Sequence, residues 1–159
     1  MTEPRPVRGA RAPLFERLAD SEPDSIRDAA PLRVHAQAGL RESVRRDLAR
    51  FLNTRASFNP AYRLAEGTVL DYGIPDLSAF TPESEDDRRR LAALLAARIA
   101  AHEPRLTNVR VAFHPPSGSP VALKGVIHAS LRIGSVVEPV YFPLAIDHQS
   151  QAEGAVFVG

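Results

Sequence analysis

Apolar residues recur twice in this chain at helical spacing and then alternate at strand spacing. Over 39–52, Leu40, Val44, Leu48, Phe51 and Leu52 fall on one helix face. Arg41, Arg45, Arg46 and Arg50 point in other directions, offset only by Glu42 and Asp47, and Asn53 is placed to end the helix in the left-handed conformation. A second helix starts near 82–84. Thr81 or Ser84 is its N-cap, and in the former case Pro82 takes the first helical position. Glu83, Glu85, Asp86 and Asp87 complement the positive end of its dipole. Leu91, Leu94, Leu95 and Ile99 make the buried stripe, and the alanines between them favour helix and close packing. Pro104 cannot extend the helix and stops it.

Downstream the period becomes two. Leu106, Val109, Val111 and Phe113 alternate through much of a first strand, and Pro115-Pro116-Ser117-Gly118-Ser119-Pro120 is a loop by composition. Val121, Leu123, Ile127, Ala129, Leu131 and Ile133 share one face of a long second strand, in which Gly125 is the expected bulge. Gly134-Ser135 is a hairpin signal, and Val140, Phe142, Leu144 and Ile146 share a face of the third strand. Pro139 and Pro143, at even spacing, withhold their donors on the same side, which marks a free edge or an irregular pairing. Ala155-Val156-Phe157-Val158 adds a short last strand. The pattern predicts a small α+β domain, with two main helices packed on a mostly antiparallel sheet of three to four strands.

The rest is punctuation. Residues 1–12 read as a flexible N-terminal arm, and 13–159 as one domain. Leu14, Phe15 and Leu18 form a docking peg between the two, and 19–38, broken by Pro23 and Pro31, reads as loop. Residues 56–80 are irregular. Within them, Tyr72-Gly73-Ile74-Pro75-Asp76-Leu77 is a turn whose apolar residues pin the loop to the core.

Composition narrows the function. With 20 basic and 19 acidic residues the net charge is +1, which calls for neither nucleic acid nor an anionic membrane. There is no cysteine, so disulfides and thiolate metal sites are excluded. No apolar run is long enough for a transmembrane helix, and the first residues lack a secretory apolar region. His35, His102, His114, His128 and His148 have no metal-ligand spacing, so no metal or cofactor is expected. Glycoside hydrolysis needs two carboxyl groups about 5–9.5 Å apart. Glu103 with Glu83, Asp76 or Asp147 would supply them, but spacing selects no pair and the chain has no Trp to floor a sugar cleft.

The chemically distinctive stretch is His102-Glu103-Pro104-Arg105-Leu106, at the junction of helix and sheet. A carboxylate at a helix C-terminus opposes the dipole and calls for a cation. Arg105, a partner's arginine or a backbone donor would meet that need. Read alone, the turn is either a solvated corner with an ion pair worth about 0–1 kcal/mol or an interface. The arginines of the first helix are likewise either a solvated face or a surface for an acidic partner.

Four segments, taken in order, resemble one family. Pro13-Leu14-Phe15-Glu16-Arg17-Leu18 is similar to an "LLERL" peg, and Ser43-Val44-Arg45-Arg46-Asp47-Leu48-Ala49-Arg50-Phe51-Leu52-Asn53-Thr54-Arg55 to an "SVxRDLxxLLNTR" helix. Tyr72-Gly73-Ile74-Pro75-Asp76-Leu77 is similar to a "YGLPDL" loop, and Glu103-Pro104-Arg105-Leu106 to an "EPRL" turn. Together they resemble the TssE family of type VI secretion baseplate wedge subunits. Phe51 stands where Leu is usual, and His102 where an aromatic is common.

The resemblance implies an α+β fold shared with contractile phage-tail wedge proteins, and no catalysis. It implies a place beside the inner tube in a sixfold cytoplasmic baseplate at the inner membrane, without membrane insertion. There the sheet mimics the interlocking domain of a sheath subunit and starts sheath assembly. The implied partners are the wedge subunits TssF, TssG and TssK and the sheath subunits TssB and TssC, with no nucleic acid. Carried over, the docking turn is Glu103, Pro104, Arg105 and Leu106, with Arg45, Arg46 and Arg55 as a second interface. Arg105→Ala is then expected to leave the isolated domain folded while weakening assembly. The rival settings are a phage tail, or an anti-adaptor of the same fold that protects a stress sigma factor by binding its delivery protein.

Overall fold

Helix α1, Gln37–Leu52, buries Leu40, Val44, Leu48, Phe51 and Leu52 to 3% exposure or less. Each such side chain contributes about 1.5–3 kcal/mol of burial, so this stripe fixes how the helix sits. The computed structural model describes residues 10–11, 18, 24, 34–35, 37–56, 71–114, 122–133 and 135–147. Asn53 closes α1 differently from expectation. Its φ is not positive. Its backbone N–H and its side-chain Nδ2 both donate to the Ala49 carbonyl, at 3.0 and 2.8 Å. The amide thus caps the last turn without the left-handed backbone a glycine would use.

Helix α2 runs Glu85–His102 with Ser84 as N-cap. The Ser84 Oγ accepts from the Asp87 N–H at 3.2 Å, and the Asp87 carboxylate accepts from the Thr81 N–H at 3.0 Å. Of the two candidate caps, Ser84 therefore holds the helix, and Pro82 lies in the turn before it. Leu91, Leu95 and Ile99 are buried, as the stripe predicts, while Leu94 is half-buried.

Strands β3 (Leu106–Phe113), β4 (Ala122–Ile133) and β5 (Val136–Asp147) form an antiparallel sheet in the order β3-β4-β5. Two shorter strands, β1 (Ala10–Arg11) and β2 (Val34–His35), pair antiparallel in a ladder the pattern did not predict. Leu18 is 71% exposed. Leu14 and Phe15 of the expected peg, and the expected strand over 155–158, lie outside the described residues.

The bulge is on β3, not at Gly125. The register slips between Thr107 and Arg110, and Asn108 sits there with φ 53°. Two residues oppose one across the slip, which explains why the core positions Leu106 and Val109 are three apart rather than two. Gly125 pairs regularly with Phe113 and Leu144. A Cβ there would stand 2.5 Å from the Ala112 carbonyl oxygen, so close strand approach selects glycine.

The proline edge is resolved by one bond. The His114 N–H donates to the Lys124 carbonyl at 2.8 Å, so Lys124 turns its backbone toward β3. By alternation Val126, His128, Ser130 and Arg132 do the same. Their β5 partners Ala145, Pro143, Tyr141, Pro139 and Val137 then face away from β4. Pro139 and Pro143 remove donors from the edge of β5 that pairs with no described strand, and leave the β4–β5 ladder whole. The core faces of the strands and the stripes of both helices make one cluster, joined by Ile74 and Leu77 of the loop.

Candidate functional site

The turn after α2 is built around a buried acid. Glu103 is the C-cap, its N–H donating to the Ile99 carbonyl at 2.8 Å, and it is 6% exposed. Pro104 is exposed at the corner, and Leu106 enters β3 facing the core at 3% exposure. The Glu103 carbonyl accepts from the Leu106 N–H at 3.0 Å, which tightens the corner.

Arg105 folds back over this acid. Its Nε donates to Glu103 Oε1 at 2.6 Å, and its Nη2 pairs with Glu103 Oε2. The same Nη2 reaches Asp47 Oδ2 at 2.5 Å, and Nη1 donates to Ser43 Oγ at 2.8 Å. Four of the five guanidinium protons are thus committed to acceptors within the chain. Burial pulls the guanidinium pKa down, but the hydrogen bonds and charges of Glu103 and Asp47 outweigh that and hold it above the ordinary arginine value. The backbone joins in: the Arg105 carbonyl accepts from the Arg132 N–H at 2.9 Å. One residue therefore ties together α1, the end of α2, β3 and β4.

The loop motif lands beside it. Gly73 has φ +103°, and a Cβ there would stand 2.3 Å from the Thr54 carbonyl oxygen, so only glycine fits. Its own carbonyl accepts from Arg98 Nη1 at 3.0 Å. Ile74 donates to the Thr54 carbonyl at 2.8 Å and accepts from the Ala56 N–H at 2.9 Å, which clips the loop to the end of α1. Asp76 then accepts from the Ser78 N–H at 2.9 Å and caps a short 3-10 turn, Leu77–Ala79. The pinning role expected for the loop is what the structure shows.

Tyr72, Phe51 and His102 form an aromatic trio between loop and turn. Ring centroids are 5.2 Å apart for Phe51–Tyr72, 5.3 Å for Tyr72–His102 and 5.7 Å for Phe51–His102. The two positions that depart from the family pattern, Phe51 and His102, thus pack on each other. His102 Nε2 is buried 3.5 Å from Asp71 Oδ1, too far for a well-formed hydrogen bond. A cavity of about 30 Å³ lies between Asp47, Phe51, Tyr72, His102 and Glu103. Burial pushes the Tyr72 phenol pKa up, the Asp47 and Glu103 charges add to that, and Arg50 opposes them.

Three of the four motif segments, far apart in sequence, therefore converge on one corner. Of the second set, Arg45 pairs with Glu42 at 2.6 Å on the outer side of α1, and Arg46 is exposed near it. Arg55 bridges to Ile74 through its backbone and reaches the Pro75 carbonyl at 3.4 Å. They do not join the Glu103–Arg105 cluster. Sequence reasoning missed Ser43 and Asp47. Their signal was the four-residue spacing that sets two polar groups on one side of a helix beside its apolar stripe. Among the described residues, no group of three His, Asp or Glu side chains is placed to hold a metal ion, and no helix is long and apolar enough to cross a membrane.

A helix pair laid on a three-stranded sheet, braced at one charged corner, is a scaffold more than a cleft. The family model of baseplate wedge protein gp25 matches residues 38–135, from α1 to the β4–β5 hairpin. The chain belongs to this baseplate wedge family, which is also the family of TssE. A comparison with curated proteins found no match. Membership gives the chain a structural role in a phage-tail-like baseplate, in contact with other baseplate components.

Proposed function

We propose that this protein is a non-catalytic component of a type VI secretion baseplate that joins the wedge to the contractile sheath and initiates sheath assembly. The family match over 38–135 carries this reading, and the ordered helix, loop and turn motifs that meet at Arg105 support it. Its neighbours are the wedge subunits TssF, TssG and TssK and the sheath subunits TssB and TssC. It works in the cytoplasm, in a sixfold assembly at the inner membrane.

The turn docks on the wedge by its shape. Glu103 and Arg105 set that shape from within, and the exposed Pro104 with the uncommitted Nη1 proton of Arg105 faces the partner. The arriving sheath strand takes the edge of β3 that pairs with no described strand, because the β5 edge lacks donors at Pro139 and Pro143. Val111 and Phe113 alternate with the residues bonded to β4 and so present both backbone groups outward. Catalysis has little support in the carboxylates. Glu103 and Asp47 share one guanidinium. Glu83 and Glu103 flank the 18 residues of α2, which sets them about 27 Å apart at about 1.5 Å per residue, beyond glycosidase range.

Fluorescent sheath imaging in a deletion strain tests the proposal. Sheaths should be lost while inner tubes still form, and the native gene should restore them. Normal sheaths without the protein would refute it. The family match supports a phage-tail-like baseplate in general, so a contractile phage tail is the second reading. Tail-fibre and capsid genes beside this one would favour it, and sheath and secretion genes would favour the first.

A further inference from the structure

The outward face of the sheet carries a charge pattern found nowhere else in the described chain. Arg110 lies opposite His128, Lys124 is bonded to His114 just past β3, and Arg132 follows on β4. All five are exposed. Glu138 is opposite the buried Leu131 and so belongs to the helix-facing side. Among the described residues, the one carboxylate at an outward register position is Asp147, the last residue of β5.

Most described arginines elsewhere are matched, Arg41 on the outer side of α1 being an exception. Arg45, Arg50, Arg89, Arg90 and Arg105 each have a carboxylate within 4.0 Å, and Arg88 and Arg98 donate to carbonyls. Arg110, Lys124 and Arg132 have no ion-pair partner among the described residues. Lys124 is also the single lysine of the chain. Beside this row, β5 exposes an apolar strip: Val137 at 57%, Tyr141 at 54%, and both prolines. The Tyr141 ring meets His128 edge-on, with centroids 5.2 Å apart, and so links the two halves of the face.

We propose that this face docks an acidic, partly apolar surface of a protein partner, a site independent of the braced turn. Unmatched cations beside exposed tyrosine, valine and proline are what a protein interface combines, with apolar contact for affinity and charge for orientation. A nucleic acid fits less well. Lys124 and Arg132 are eight residues apart on β4, about 26 Å at about 3.3 Å per residue, and three fixed cations over that length neutralise few phosphates. The edge-on Tyr141–His128 pair also offers no flat platform for a base.

The test titrates the full chain with a designed amphipathic helix whose face mixes Glu and Leu, read by anisotropy and by amide shifts. Saturable binding should move the amides of Arg110, Lys124, His128, Arg132 and Tyr141. Raising salt from about 0.01 M to about 0.15 M, which shortens the screening length from about 30 to about 8 Å, should weaken it. The triple variant Arg110→Gln/Lys124→Gln/Arg132→Gln should bind about tenfold more weakly, the equivalent of three exposed pairs, with an unchanged thermal melt. Tyr141→Ser should also weaken binding at unchanged charge. A control triple, Arg41→Gln/Arg89→Gln/Arg90→Gln, should bind like the native chain. Four results would overturn the proposal: no saturable binding, equal loss in the control triple, equal binding of the peptide with Gln for Glu, or tighter binding of duplex DNA or anionic vesicles at equal charge.

Discussion

Removing Arg105 should damage the fold itself, not only its assembly. Arg105→Ala would leave the Glu103 carboxylate, 6% exposed, without its cation, and would leave Ser43 Oγ without its donor. Breaking a buried ion pair from one side costs about 3–5 kcal/mol. Asp47 is 30% exposed and keeps Arg50 at 3.2 Å, so its share is small and the total falls at the lower end, about 3 kcal/mol. In a urea titration with a slope of about 1–3 kcal/mol/M, the midpoint should fall by about 1–3 M. The thermal midpoint should fall by about 6–12 °C. Arg105→Lys should recover part of this loss, since a point charge replaces a fork. Adding Glu103→Gln to Arg105→Ala should also recover part, because it removes the stranded charge. A loss below about 0.5 kcal/mol, the size of an exposed pair, would refute the brace. So would a double variant no more stable than Arg105→Ala alone.

Three further outcomes follow from the same geometry. Gly73→Ala, at φ +103° and against the Thr54 carbonyl, should destabilise by more than about 1 kcal/mol in chemical denaturation. Ser84→Ala removes the N-cap of α2 and should cost about 1 kcal/mol, checked the same way. The Tyr72 phenol, held protonated by burial and by nearby carboxylates, should ionise above the ordinary tyrosine range in an ultraviolet titration compared with Tyr72→Phe. Because its folded pKa is raised, the stability it contributes is complete below the unfolded tyrosine value and is lost as pH rises through the folded one.

Periodicity made the large elements legible. The stripe Leu40–Leu52 and the alternation Val140–Ile146 need only burial on one side, and burial is what they received. The bulge was present too, as the three-residue step from Leu106 to Val109, but Gly125 drew it away because a glycine in a strand signals either a bulge or a close approach. Asn53 shows a similar ambiguity: its side chain satisfied the helix end that its backbone was expected to satisfy. At the corner, the need of Glu103 for a cation was readable and Arg105 was among the candidates. What no local pattern shows is that the cation also reaches 58 residues back along the chain to Asp47. That contact depends on α1 lying beside the end of α2, a tertiary fact. The same contact makes Arg105 an internal brace.

The two prolines on β5 also decide how this molecule can meet its own kind. A sheet with two receptive margins can stack copy upon copy into a ribbon without end. Here one margin lacks two of its five donors, so growth by that route is opposed after a single step. Such a piece suits the head of a column, where a lattice must begin once and run in one direction.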